Sequence, residues 1–304
     1  MNLPFVSVIV PNYNYARYLE NRIESILTQK YINYEIVFLD DHSADDSLEI
    51  IRKYKDHPKV SKIICSDVNS GSPFIQWRKG LIASKGELIW IAESDDYCSP
   101  FFLEKLVDSH LHSNAVMTFC RSKLVDKDGQ LLRENHQMKD VTGDFFMDGE
   151  EFVRKYLAFS NEVQNASAVV FCKSQAMLID QRFADYKGAG DWLFWISLSL
   201  KGKVAFVNEE LNSYRLHDNT TSKIVRSGLE FQEMKRIYDW LLARNLLLDS
   251  DYEKCRVNNI RLIRSISEIP KDTKSELYKM WNLPFYYRHF LRFYEAVSGL
   301  KSKM

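Results

Sequence analysis

Three carboxylates crowd one short stretch of this chain, Glu93-Ser94-Asp95-Asp96. They follow Glu87-Leu88-Ile89-Trp90-Ile91-Ala92, a run with the length and apolarity of a buried strand. Acids this close raise one another's proton affinity unless a cation sits among them. Their position is also telling, because ligands of open α/β sheets bind just beyond the carboxyl ends of strands. Aspartate and glutamate are hard oxygen ligands, suited to Mg2+ or Mn2+ rather than Zn2+. One such ion, with diphosphate oxygens in its remaining positions, would neutralise a phosphate leaving group. The competing reading is an acidic surface turn ahead of a helix.

Other residues invite chemistry at the same edge. Pro11-Asn12-Tyr13-Asn14-Tyr15 ends the first strand-like run in a tight turn, where a tyrosine can stack on a base. Asp40 and Asp41 end the second run and can accept hydrogen bonds from a nucleobase or ribose. They could equally cap the next helix or form the acid pair of a phospho-receiver, a domain much shorter than this chain. Gly188-Ala189-Gly190-Asp191 sets an acid at a helix start after a glycine turn. Asp191 is there either an N-cap or a general base brought against a hydroxyl. Tyr214-Arg215-Leu216-His217 offers a guanidinium to phosphate and an imidazole to a metal.

These groups need a scaffold that gathers them. Over the first hundred residues strand-like and helix-like segments alternate. Phe5–Val10, Tyr34–Leu39, Val60–Cys65 and Glu87–Ala92 read as strands, with helices between them and another starting at Ser99-Pro100. Ser43 and Asp46 read as a capping box for the helix carrying Leu48, Ile51 and Tyr54. Such units imply a mostly parallel sheet with helices on both faces. Further strands are expected at Val116–Cys120, Ala168–Phe171 and Val204–Val207, and a helix at Asp191–Leu200. Beyond residue 222 the chain reads as helices only, giving domains 1–222 and 223–304. Zero formal net charge over 304 residues implies no global attraction to nucleic acid. Five irregularly spaced cysteines, no leader-like segment and no spanning apolar run point to a cytoplasmic protein. The sequon at Asn165 then carries no glycosylation meaning.

Each signal is weak alone, but their order is specific. Pro11-x-Tyr13-Asn14, Asp40-Asp41-x-Ser43, Asn69-x-Gly71, Gly86-Glu87 with Glu93-x-Asp95-Asp96, Gly190-Asp191 and Tyr214-Arg215-x-His217 occur in series. That series resembles the family 2 glycosyltransferases of the GT-A fold, a Rossmann-like nucleotide-diphospho-sugar transferase, over roughly residues 4 to 222. The resemblance implies a nucleotide-sugar donor, expected to be UDP-linked, held by Pro11, Tyr13, Asp41, Glu93, Ser94 and Arg215. It implies a metal, Mn2+ or Mg2+, on Asp95 with His217, and Asp191 as catalytic base in an inverting transfer to a saccharide or lipid-linked saccharide. Asp40 and Asp96 have no assigned part. Two departures stand out. Glu93 replaces the usual first aspartate, and Gln76-Trp77-Arg78 replaces an Ala-Arg-Asn run, so either Arg78 or Lys79 is left to meet the diphosphate.

The aromatic and basic stretch 283–294 could lie in a membrane interface, or pack on the catalytic domain or on a second subunit. Two rival functions are a nucleotidyltransferase, for which Val10–Arg17 lacks the glycine-rich phosphate loop, and a nucleotide-sugar-binding module whose catalytic site has decayed.

Overall fold

The computed structural model describes residues 3–133, 135–217 and 227–282. The chain divides into two compact units, Met1–Asp218 and Asn219–Met304, where the sequence reading sets the break at 222. The aromatic stretch 283–294 lies outside the described residues.

The first unit opens with β1 (Val6–Asn12), α1 (Ala16–Leu27), β2 (Tyr34–Asp40), α2 (Ser47–Lys53), β3 (Val60–Cys65), α3 (Pro73–Ala83) and β4 (Leu88–Ile91). It continues through β5 (Tyr97–Cys98), α4 (Phe102–Ser113), β6 (Ala115–Val125), β7 (Leu131–Arg133), β8 (Phe145–Asp148) and α5 (Gly149–Phe152). Then come β9 (Val169–Cys172), α6 (Lys173–Ala176), α7 (Gly190–Ser199) and β10 (Lys203–Arg215). The second unit shows α8 (Leu229–Leu242), α9 (Asp249–Ser265) and α10 (Lys271–Met280).

One sheet runs in the order β3-β2-β1-β4-β9-β6-β10-β5. β1, β2, β3 and β4 pair in parallel, so β1, β2 and β4 all release their chains at one edge. That edge carries Asn12, Asp40-Asp41 and Glu93–Asp96. The parallel reading stops at β9, which runs antiparallel to both β4 and β6. Parallel pairing returns between β6 and β10, so the α/β sheet is mixed, with its parallel half at β1–β4 as expected.

Alternation along β1 explains the two packed faces. Val6, Val8 and Val10 join Leu19, Ile23 and Ile26 of α1 and Phe102, Leu103 and Leu106 of α4 in one apolar cluster. On the opposite face Gly80 lets α3 lie against Ile9 and Leu39, where a Cβ would come within 2.4 Å of Ile9. Trp77 of α3 there meets Phe194 and Trp195 of α7, and Phe171 of β9 touches both.

Two local expectations fail for identifiable reasons. Ser43 caps no helix. Its Oγ accepts from the Asn14 backbone N–H (3.0 Å) and from Asn12 Nδ2 (3.1 Å), tying the β1–α1 turn to the β2–α2 turn, and α2 starts only at Ser47. The helix expected from Pro100 starts at Phe102, because the Phe102 N–H first closes a turn on the Ser99 carbonyl.

α7 matters most to the site, since it carries Asp191. Gly190 opens it with no room to spare, as a Cβ there would lie 2.5 Å from the Phe74 ring and 2.6 Å from the Phe183 carbonyl. Gly190→Ala is therefore expected to lower stability by about 1–3 kcal/mol in urea denaturation. Gly143→Ala, where nothing lies within 4 Å, should leave the midpoint in place.

Candidate active site

The acidic run is organised from below by Arg22. Leu19, Ile23 and Ile26 make the buried stripe of α1, and Arg22 occupies a position on that same stripe with no exposure. Its Nε donates to the Glu93 carbonyl (2.7 Å), and its Nη2 donates to Ser167 Oγ (2.9 Å) and lies 3.8 Å from Asp96 Oδ2. Trp90 lies beneath the guanidinium, 5.6 Å from ring centroid to Cζ. The indole in turn donates from Nε1 to the Ser167 carbonyl (2.8 Å).

The four residues of the run then separate into different tasks. Asp96 is buried and turned inward. Its Oδ1 accepts from the Arg215 N–H (2.9 Å) and its Oδ2 from Asn165 Nδ2 (2.8 Å), joining β4 to the end of β10. Burial, with the Asp95 charge beside it, pushes its carboxyl up to about 6. Ser94, expected at the donor, is instead buried with Oγ donating to the Pro11 carbonyl (2.7 Å). Pro11 is buried too and pairs with Leu39, whereas Tyr13 beyond it stands 46% exposed, free to meet a ligand. Glu93 turns toward α3, where Trp77 Nε1 donates to its Oε1 (3.0 Å). Burial and then the charges of Asp95 and Asp96 push Glu93 up to about 8.

Asp95 faces the other way. Its Oδ2 meets His217 Nε2 at 2.8 Å, although 122 residues separate them. The imidazole is held by rings: Tyr18 stacks on it at 5.6 Å and Tyr15 meets it edge-on at 5.4 Å. Arg215, the expected phosphate ligand, spends Nε on the Asp95 carbonyl (2.7 Å) and Nη1 on the Asp126 and Lys127 carbonyls (3.1 and 3.2 Å). It packs over Tyr18 and Tyr97. Arg215 thus fastens the loop after β6 to the acidic turn.

Neither acid at the end of β2 is open. Asp40 accepts from Asn12 Nδ2 and the Ser43 N–H, both at 3.0 Å. Both oxygens of Asp41 are engaged, Oδ1 by Gln76 Nε2 (2.5 Å) and Oδ2 by Ser70 Oγ (2.6 Å) and Asn69 Nδ2 (3.2 Å), with the Ser70 N–H reaching both. Asp41 therefore shapes the 69–72 loop, and reading a base would require it to exchange one of these bonds. Gln76 and Trp77 of α3 are the residues that face the acids. Lys79 is tied to Ser66 Oγ (2.8 Å) and Arg78 is exposed, so neither contacts the acidic run.

Asp191 sits at the N-terminal end of α7, where the helix dipole favours its anion. Its Oδ1 accepts from the Trp192 N–H (2.7 Å) and its Oδ2 from Asn161 Nδ2 (2.8 Å). The ionisation of Tyr214 on β10 is opposed first by burial and then by the charges of Asp96, Asp95, Asp191 and Glu93, so one phenol lies within the field of all four.

Asp95 and His217 form a mixed oxygen and nitrogen donor pair within one coordination shell's spread, which suits Mn2+ and accommodates Mg2+. Among the described residues no group of three or more His, Cys, Asp or Glu could hold a metal. An ion held by this pair would need its remaining ligands from outside the protein.

The family model described as Glycosyl transferase family 2 matches residues 7–180, more than half of the chain. The chain belongs to that family. It is 27% identical over its whole length to 95% of an uncharacterized glycosyltransferase of Haemophilus influenzae. It is 26% identical over 91% of its length to 87% of the GalNAc(5)-diNAcBac-PP-undecaprenol beta-1,3-glucosyltransferase of Campylobacter jejuni. Among solved structures, S. aureus TarS 1-349 in complex with UDP-GlcNAc superposes with a TM-score of 0.60 at 18% identity, covering 90% of this chain and 70% of that one. The fold is therefore GT-A, and the enzyme a glycosyltransferase (EC 2.4). A nucleotidyltransferase is set aside.

Sequence reasoning missed Arg22, Gln76, Trp77, Ser167 and the Tyr15–Tyr18 cage of this glycosyltransferase. Arg22 alone left a signal, a charge on the apolar stripe of an amphipathic helix.

Arg22→Met should cost about 3–5 kcal/mol in urea denaturation, since it strips the cation from a buried acid. Adding Asp96→Asn should recover part of that loss. Glu93 also sets a pH trend. Its folded value is raised, so the native state binds more protons than the unfolded state up to about 8, and stability falls as pH rises toward that value. Buried His110, lowered to about 4 from 6.5, acts oppositely but is finished by 6.5. Metal-free protein is thus expected to lose thermal stability between about pH 6.5 and 8, and Glu93→Gln to flatten that slope.

Proposed function

We propose that this glycosyltransferase moves a sugar from a UDP-sugar to the hydroxyl of a saccharide acceptor, with inversion and with help from a divalent cation. The observation that carries the reading is the Asp95–His217 pair at 2.8 Å beyond the end of β4, on a chain that also offers Asp191 at a helix start. Mn2+ or Mg2+ held by Asp95 and His217 would offset the charge that develops on the departing nucleoside diphosphate.

The protein's own groups supply the rest. Tyr13 is exposed at the mouth of the first turn and is suited to stack on the base. Glu93 is held by the Trp77 indole N–H (3.0 Å), beside the turn that carries Asp95. Asp191 accepts the proton from the attacking hydroxyl. Two hydrogen bonds orient its carboxylate. A single displacement by that oxygen inverts the anomeric carbon, giving a β-product from an α-linked donor.

The acceptor class follows the relatives only in outline. The Campylobacter enzyme is named for a substrate on undecaprenyl diphosphate, and a lipid-linked saccharide is the acceptor proposed here. Among the described residues no helix is long and apolar enough to cross a membrane, so such an acceptor would be met at the membrane face, with 283–294 as the segment to test.

A thermal-shift screen of nucleotide-sugars with and without Mn2+ should show stabilisation by one UDP-sugar that EDTA removes. Asp191→Asn should keep that shift while transfer falls by about a hundredfold or more. Asp95→Asn should lose the shift itself. Equal loss of both properties in Asp191→Asn would contradict the base assignment.

A further inference from the structure

The stretch 161–167 touches both halves of the chemistry. Asn161 Nδ2 donates to Asp191 Oδ2 (2.8 Å), and Asn165 Nδ2 donates to Asp96 Oδ2 (2.8 Å). Asn165 Oδ1 accepts from the Ser167 N–H (2.8 Å), and Ser167 Oγ accepts from the Glu93 N–H (3.0 Å) and Arg22 Nη2 (2.9 Å). Asn161 is itself held in place by its neighbours. The Glu162 carboxylate accepts from Ser160 Oγ (2.8 Å) and the Met138 N–H (3.0 Å), its carbonyl accepts from Gln137 Nε2 (2.7 Å), and Val163 is fully buried.

We propose that Asn161 is a positioning residue for Asp191: its amide selects the carboxylate orientation from which the base meets the acceptor hydroxyl. The idea rests on Asp191 being the base. The amide has one workable orientation, because reversing it would set Oδ1 against a carboxylate oxygen. In the orientation adopted, Asn161 Oδ1 is buried and has no hydrogen-bond partner. A buried carbonyl left unpaired is costly, and such costs persist where a function needs the arrangement. The other oxygen of Asp191 is engaged by the Trp192 N–H of its own helix, and Asn161 holds the carboxylate from outside α7. Through Asn165 and Ser167 the same short stretch is also fastened to the turn that carries Asp95. The base and the leaving-group side are thereby kept at a fixed separation.

The test uses the full chain and UDP release from UDP-GlcNAc, UDP-glucose and UDP-galactose with Mn2+, water standing in for the acceptor. Asn161→Ala should lower kcat by roughly ten- to a hundredfold, as expected for losing a hydrogen bond to a charged group, with donor KM nearly unchanged. Asn161→Asp keeps the shape but turns a donor into an anion facing an anion, and should be worse than alanine. A residue that only fills space would give the opposite order, aspartate milder than alanine, and that result overturns the proposal. So does an alanine variant within about twofold of the parent while Asp191→Asn is inactive. If Asp191→Asn keeps full release, the base assignment fails first and takes this inference with it. Crystals of Asn161→Ala ask the question without turnover: Asp191 should leave its present rotamer, and an unmoved carboxylate overturns the proposal.

Discussion

Three carboxylates within four residues cannot share the end of a buried strand unless their charges are compensated or their protons kept, and Arg22 is where that compensation begins. Its guanidinium, without exposure, meets the Glu93 carbonyl, the Ser167 hydroxyl and the Asp96 carboxylate together. A buried ion pair of this kind is weak evidence for added stability, since desolvation offsets much of the attraction. What it does is fix a shape. With Asp96 turned inward and Glu93 raised toward its neutral form, Asp95 is left as the acid of the run that faces His217.

The remainder of the site is built around that division. Arg215 crosses over the Asp95 backbone, and its own N–H holds Asp96, so β10 delivers His217 to a position set by the acids it must join. Tyr18, one turn before Arg22 on α1, and Tyr15 at the N-cap of that helix then enclose the imidazole. On the opposite side α3 offers uncharged donors, Gln76 to Asp41 and Trp77 to Glu93. These contacts make the acidic turn the junction of α1, α3 and β10.

Much of this was legible in the sequence, and the limits have physical causes. Short apolar runs broken by polar turns gave the order β1-β2-β3-β4 and placed Asp40, Asp41 and Glu93–Asp96 at one edge, because parallel strands must end there. The antiparallel return of β9 was not legible, since Val169–Cys172 has the same apolar pattern in either direction. Residue type pointed to Asp95, Asp191 and His217 as groups to watch, but not to how they sit. Ser94 and Arg215 have the right chemistry for a donor and spend it on backbone carbonyls. Asn161 carries no motif at all, and only the fold brings it to Asp191, 30 residues along the chain.

The central claim is that Asp95 and His217 together receive a divalent cation carried in with the donor's diphosphate. Crystals grown with UDP and Mn2+, measured for anomalous scattering at the manganese edge, address it directly. A single strong peak within bonding distance of Asp95 Oδ2, His217 Nε2 and the diphosphate oxygens is the predicted result. Ordered UDP with no manganese peak between those two side chains would contradict the account.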